Sequence, residues 1–355
     1  MNDSCDLSEL GWSDWFAQQA GCKLPDSVAR VVAVDRDQLL LVDQGGSFRA
    51  RLAGRYSHLH PLGQERPCVG DWVCVEKQPG DSVGVIHSLL ERRTSLRRKS
   101  AGNSVEYQMI AANVDYVLVV QSCHFDFNPR RLERYLVMAM DGGAETCILL
   151  TKTDLVSPAV LATQLAEIES IGVSAPIVPL SNVTGDGLED VRKLLLPGRT
   201  YCFVGSSGVG KSTLINQLIG REAMETGSVS ESGEGRHTTV RRELMRLAGG
   251  AWVIDNPGMR EFGVLGAQMG IASSYPEIIA AASRCRYHDC SHTGEPGCAV
   301  IAAVQAGEIS QESLDSFLKL KQETAFNDMS YAEKRKKDRD FGRYIRSAKK
   351  DLRDN

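Results

Sequence analysis

GSSGVGKST, residues 205–213, sits between the apolar run TYCFV (200–204) and a helix-forming stretch from Lys211 to Ile219. G-x-x-x-x-G-K-[ST] between a strand and a helix is the signature of a phosphate loop. The glycines let the backbone wrap its N–H groups around an anion, at the positive end of the following helix. The candidate cradle is Gly205, Ser206, Ser207, Gly208, Val209, Gly210, Lys211, Ser212 and Thr213. Lys211 would reach the β- and γ-phosphates, and Ser212 would place its hydroxyl on Mg²⁺. The loop signals a nucleoside triphosphate and is silent on the base.

Outward from the loop the chain alternates strands and helices. VDYVLVV (114–120), ETCILL (145–150), APIVPL (175–180), TYCFV and AWVID (251–255) read as strands. Helical patterns run from Pro129 to Met140, Pro158 to Glu169, Leu188 to Leu196 and Lys211 to Ile219. This alternation predicts a mainly parallel sheet covered on both faces.

Base choice is read from TKTD, Thr151–Asp154, at the end of a buried strand. A carboxylate at Asp154 would accept both N1–H and N2–H of guanine, whereas adenine offers no such donor pair. Lys152 would lie along the base, with Thr153 between them. LSNVTGDGL (180–188) ends another strand with a Ser181–Asn182 turn able to frame the guanine O6. WVIDNPG ends a further strand: Asp255 would hold Mg²⁺ through water, and the Gly258 N–H would sense the γ-phosphate. The polar stretch 226–240, TGSVSESGEGRHTTV, suits a switch, with Thr239 as second hydroxyl ligand of Mg²⁺. Met259 stands where many GTPases carry a water-orienting Gln. An apolar side chain does not polarise water, so His237 is the candidate catalytic group.

The order is informative. In a conventional small GTPase the phosphate loop precedes the guanine loops; here residues 151–154 and 181–187 come first. The pattern predicts a circularly permuted P-loop GTPase domain. The segment after Gly258 would then lead straight into the C-terminal part.

That part contains Cys285-x4-Cys290-x-His292-x5-Cys298, three thiolates and an imidazole within fourteen residues. A Cys₃His set fills all four positions of a tetrahedral Zn²⁺, the pattern of a structural site. His288 is a rival nitrogen. Upstream, residues 28–95 hold short apolar runs separated by turn residues, with Gly45–Gly46 a hairpin turn, and read as a small β-barrel. The first 27 residues contain an amphipathic stretch at Leu10, Trp12, Trp15 and Phe16.

The chain has 355 residues, 42% hydrophobic and 24% charged, which suits a multidomain globular protein. No secretory signal or ~20-residue apolar span is visible, so a cytoplasmic location without membrane contact is expected. Its ten cysteines are then read as thiols or metal ligands, not bridges. The net charge of −4 hides two basic islands. One is Arg92, Arg93, Arg97, Arg98 and Lys99; the other, residues 331–355, carries ten Lys/Arg against five Asp/Glu. Such islands point to a polyanion.

The chain resembles the circularly permuted, ribosome small-subunit-dependent GTPases of the RsgA (YjeQ) family. The resemblance rests on VGDWV (69–73), RRTSLRR (92–98), FNPRRLERYL (127–136), GSSGVGKST, GRHTTVRREL (235–244), DNPGMREFG (255–263) and CRYHDCSHTGEPGCAV (285–300). It implies an OB-fold barrel at 28–99 after an extension at 1–27, a permuted GTPase domain at 100–262, and a helical zinc-binding domain with a basic tail at 263–355. It also implies an Mg²⁺-dependent, monomeric GTPase that cycles between GTP and GDP, binds the 30S subunit and its 16S rRNA, and acts in late subunit maturation. His237 matches the histidine thought to be catalytic in that family. Two positions depart: Thr151 stands where the family often has Asn, and Asn256 where it usually has Thr. The alternatives are an rRNA-binding scaffold with negligible turnover, or a P-loop ATPase or kinase.

Overall fold

Buried and half-buried residues alternate along LLLVD, the period of a strand with one face on a core. In the computed structural model, residues 6–19, 28–35, 38–60, 63–77, 83–99, 107–124, 127–170, 175–220, 242–255 and 268–328 are described. Five strands, β1 (Val28–Val34), β2 (Leu39–Asp43), β3 (Gly46–Leu52), β4 (Trp72–Glu76) and β5 (Val83–Leu89), pair in the order β1-β2-β3-β5-β4. Antiparallel pairing of β4 back onto β1 closes the barrel, which removes its free edges. Val31, Leu41, Val73, Val75 and Ile86 fill it. The expected hairpin forms at Asp43–Gly46, where the Gly45 N–H donates to Asp43 Oδ1 at 2.8 Å and Gly46 takes φ 110°.

The N-terminal arm ends in α1 (Asp14–Gln19) and packs Trp12 and Phe16 against Trp72 of the barrel. Helix α2 (Gly54–Leu59) follows β3. Cys68, Cys123, Cys147 and Cys202 are buried thiols outside any disulfide, as expected. Cys74 of β4 departs from that expectation: it is disulfide-bonded.

Residues 100–108 read as a linker, but strands β6 (Ser95–Lys99) and β7 (Tyr107–Ala112) pair antiparallel across it. This ribbon straddles the domain boundary expected at 99/100. The basic island on it is largely neutralised within the protein. Arg92 forms a two-pronged pair with buried Asp71 (2.8 and 2.8 Å), Arg93 pairs with Asp115, and Arg97 pairs with Asp141 at 3.1 Å. Arg98 bonds the neutral Gln108. Charge counting sees cations; folding supplies their carboxylates.

The second sheet comprises β8 (Tyr116–Ser122), β9 (Glu145–Thr151), β10 (Ile177–Pro179), β11 (Thr200–Val204), β12 (Glu243–Arg246) and β13 (Trp252–Asp255), in the order β10-β9-β8-β11-β13-β12. All neighbours are parallel except β12, which runs antiparallel to β13. β12 is a strand that the apolar pattern does not announce. Helices α3 (Pro129–Asp141) and α4 (Pro158–Ser170) cover one face, through Leu132, Leu136 and Ile168. Helices α5 (Leu188–Leu194) and α6 (Lys211–Ile219) cover the other, through Val191, Leu214 and Ile215. With both faces buried, the strands are almost continuously apolar. Asn128 caps α3 by accepting from the Arg131 N–H at 3.0 Å, with Pro129 at its first turn.

A β1–β12 bridge (Ala33↔Glu243) merges barrel and sheet. The joint is pinned by Arg30, 1% exposed, which donates to Leu10 O (2.6 Å), Thr200 Oγ1 (2.7 Å) and Asn113 O (3.3 Å). Burial pulls its pKa down to about 10, which still leaves it charged near neutrality.

Beyond the sheet, α7 (Gln268–Ser274), α8 (Pro276–Ala282), α9 (Ala299–Gln305) and α10 (Gln311–Asp328) form a helical unit around Ile271, Tyr275, Ile278, Val300, Phe317 and Leu320. α7 crosses α3 closely: a Cβ on Gly270 would lie 2.2 Å from Val137 O. At the seam with α10, Glu133 of α3 is 3% exposed, hydrogen-bonds Ser316, and has an Oε1 with no partner among the described residues. Burial raises its pKa to about 7, against the opposing charges of Arg130, Arg134 and Lys319. A raised carboxyl stabilises the fold below its unfolded pKa, and that contribution is lost as pH rises from about 4.5 through about 7. Glu133→Gln is therefore expected to flatten the stability–pH curve across this window and to raise stability at pH 8. The gain has an upper limit of about 3 kcal/mol. Denaturant titrations at pH 5 and pH 8 check this; parallel curves for both proteins would refute it.

Candidate functional site: a phosphate loop flanked by two base-side loops

The chain runs β8-β9-β10 to one side and returns through β11 and β13 on the other, so β8 and β11 are neighbours with diverging connections. In parallel sheets the crevice outside the carboxyl ends of such strands is the ligand site. The 151–154 loop ends β9, the 181–187 loop follows β10, the 205–210 loop follows β11, and Asp255 ends β13. All four elements therefore lie along one edge of the sheet, as the motif reading requires.

The phosphate loop turns through Gly205 (φ 144°), Gly208 (φ 80°) and Gly210 (φ 98°). A Cβ on Gly205 would lie 2.2 Å from Val120 O, so only glycine lets the loop leave β11 beside β8. Val209 is buried; Ser207, Gly208, Ser212 and Thr213 are exposed. Lys211 opens α6, and its Nζ donates to Gly205 O at 2.7 Å and Ser206 O at 2.5 Å. The ammonium thus lies over the loop.

On the base side, Lys152 adopts the left-handed conformation (φ 62°). Asp154 is exposed rather than buried, and its Oδ1 accepts from Ser181 Oγ at 2.5 Å. Ser181, fully buried, also accepts from the Val183 and Thr184 N–H groups at 3.1 and 3.2 Å. The carboxylate is thereby oriented by a rigid turn. Behind it, burial pushes the Cys123 thiol up to about 11, with Asp154 a lesser contributor, so that cysteine stays protonated and inert. Thr151 Oγ1 contacts Val209 O at 2.6 Å, and Asn182 Nδ2 donates to Gly210 O at 3.0 Å. Gln217 Nε2 donates to Asn182 O at 2.7 Å. These ties are not legible in the sequence, because each joins residues far apart in the chain.

His237, Thr239, Gly258 and Met259 lie outside the described residues, as does the side chain of Asp255 and the basic tail.

Cys285, Cys290, His292 and Cys298 converge, with donor atoms all within 4.8 Å of one another. Cys285 Sγ lies 3.7 Å from His292 Nδ1 and 3.9 Å from Cys298 Sγ; Cys298 Sγ lies 3.6 Å from the same nitrogen. A tetrahedron with ~2.3 Å metal–sulfur bonds has edges of ~3.8 Å, so these donors suit a metal ion. His292 takes φ 61° to reach inward, while His288 is exposed. Burial and the charge of Lys321 lower the His292 pKa, favouring the neutral, ligating imidazole. No helix among the described residues is long and apolar enough to cross a membrane.

A barrel fused to a P-loop sheet with permuted order, plus a helical unit carrying a Cys₃His cluster, defines a class: the circularly permuted GTPases. One solved relative in fold, YloQ, is titled a circularly permuted GTPase; it has TM-score 0.61, is 24% identical, and covers 86% of this chain and 97% of its own. YjeQ from Thermotoga maritima matches with TM-score 0.62 and 26% identity over 83% of this chain and 96% of its own. The family described as RsgA GTPase matches residues 89–265. The Small ribosomal subunit biogenesis GTPase RsgA of Opitutus terrae is 40% identical over 332 residues, 90% of each chain. The protein of that name from Streptomyces coelicolor is 39% identical, over 89% of this chain and 86% of its own. The chain belongs to the RsgA family and is a GTP-hydrolysing enzyme.

Proposed function

We propose that this GTPase binds the small (30S) ribosomal subunit through 16S rRNA and assists its late maturation, with hydrolysis stimulated by the subunit and coupled to release. One observation carries the reading: the TKTD, Ser-Asn and phosphate loops assemble on one sheet edge, in a chain 40% identical over 90% of its length to a small ribosomal subunit biogenesis GTPase.

In this reading Asp154, oriented by Ser181, accepts the guanine N1–H and N2–H, and Lys152 lies along the base. The 205–213 backbone receives the phosphates, and Lys211 exchanges its loop carbonyls for β- and γ-oxygens. Ser212 and Thr239, with Asp255 through water, would hold magnesium, whose charge would compensate those oxygens. The Gly258 N–H reports the γ-phosphate, and His237 orients the attacking water. Cys285, Cys290, His292 and Cys298 hold a structural zinc. Loss of the γ-phosphate releases the segment that leads into the helical unit, changing the grip on rRNA. The tail at 331–355 adds sequence-blind attraction that weakens with salt. The protein works as a cytoplasmic monomer, with the barrel, GTPase and zinc units as its three parts.

GTP hydrolysis by the full chain, with and without 30S subunits, tests this, with ATP and 50S subunits as controls. Stimulation confined to GTP and 30S is expected, and His237→Ala should remove it while GTP binding persists. Equal rates with and without 30S would refute the coupling.

A further inference from the structure

A phosphate loop works when successive N–H groups converge on one point. In a trans peptide the N–H points opposite to the carbonyl of the preceding residue. Whatever holds a loop carbonyl outward therefore aims the next N–H inward. Two consecutive carbonyls of this loop are met by side chains from the base-side loops. Thr151 Oγ1 contacts Val209 O at 2.6 Å, which fixes the N–H of Gly210. Asn182 Nδ2 donates to Gly210 O at 3.0 Å, which fixes the N–H of Lys211.

We propose that Asn182, with Thr151 beside it, is a positioning residue that orients the phosphate-binding peptides, and not a contact for the guanine base. Three observations support it. The Asn182 amide sits close on Gly210: a Cβ there would lie 2.7 Å from Asn182 Nδ2, and the φ of 98° suits glycine. The main chain of Asn182 is itself anchored from α6 by Gln217 Nε2 at 2.7 Å. The buried Asn182 Oδ1 has no hydrogen-bond partner among the described residues, and the amide works here as a donor. Thr151, 0% exposed, supplies the hydroxyl tie at the position where the family often carries Asn. Seating of the base-side loops thus sets the shape of the anion cradle.

The inference rests on reading 205–213 as a guanine-nucleotide cradle. Its test is competition binding to the full chain with GDP and with 2-aminopurine riboside diphosphate, which lacks the 6-oxo group. Asn182→Ala should weaken both nucleotides by the same factor, about 3- to 10-fold, the worth of one neutral hydrogen bond. Thr151→Val should do likewise, and Thr151→Ser should recover the loss. A loss for GDP that exceeds the loss for the 6-deoxo nucleotide marks Asn182 as a base contact and overturns the inference. Unchanged affinity in Asn182→Ala, or no recovery in Thr151→Ser, overturns it too. A wild-type chain without preference for GDP over ADP would instead sink the guanine reading itself. The Thr151 pair keeps the test open where Asn182→Ala fails to fold.

Discussion

Asp154→Asn is expected to lower GDP affinity by at least roughly 100-fold and to create a preference for XDP. The carboxylate would accept two charge-assisted hydrogen bonds from guanine, together worth about 3–6 kcal/mol. The amide offers one acceptor and one donor. Its donor faces the guanine 2-amino group, donor against donor, but matches the 2-oxo group of xanthine. Ser181 Oγ holds Asp154 Oδ1 at 2.5 Å from within a turn tied to the Val183 and Thr184 N–H groups, so the head group has little freedom to turn away. Competition binding with GDP and XDP measures both changes. Undiminished GDP affinity would move base recognition away from the 151–154 loop.

Removing the zinc proposed for the Cys₃His cluster is expected to unfold the helical unit of α7 to α10 while leaving the barrel and nucleotide sheet folded. Cys290 and Cys298 are buried in the same cluster as Tyr275, Ile278, Val300 and Phe317, so the metal cluster and the apolar core are one structure. A unit of this size gains little from apolar burial alone, and zinc at such a site contributes ~10–16 kcal/mol of apparent binding energy that is also folding energy. The unit is fastened to α3 by Arg134–Glu323 at 2.9 Å, by the Glu133–Ser316 bond and by the close crossing of α7 over Val137, and these contacts hold only one side of it. Chelation of purified protein should therefore lower helical circular dichroism and expose residues 268–328 to protease, with GDP binding retained. Readdition of zinc should reverse both. A chelated, metal-free protein with unchanged helicity and protease resistance would show that the core suffices.

What the motifs located, folding assembled. TYCFV and the helix from Lys211 lie where the apolar pattern and the loop chemistry put them, because a strand buried on both faces and a helix start each leave a local signature. The barrel strands and the Asp43–Gly46 turn were legible for the same reason. The ribbon of β6 and β7 was not. Its residues are cationic, and its pairing partner lies beyond a stretch rich in Gly, Ser and Asn. β12 is four residues long and follows a polar segment, too short for its period to register. The carboxylate partners of the basic island at 92–99 were not legible either, because Asp71, Asp115 and Asp141 are 20 or more residues from the arginines they pair with.

The sequence by itself determined the chemistry: a triphosphate loop, a guanine-type carboxylate, a Cys₃His cluster and their permuted order. These depend on residue type at short spacing, which a linear chain displays. Only the tertiary structure decided which side chains hold those groups in place. Ser181 on Asp154, Thr151 and Asn182 on successive loop carbonyls, and Arg30 across the joint each connect residues 20 to 170 positions apart. A hydrogen bond is fixed by distance and angle in space, and neither is written in the separation along the chain.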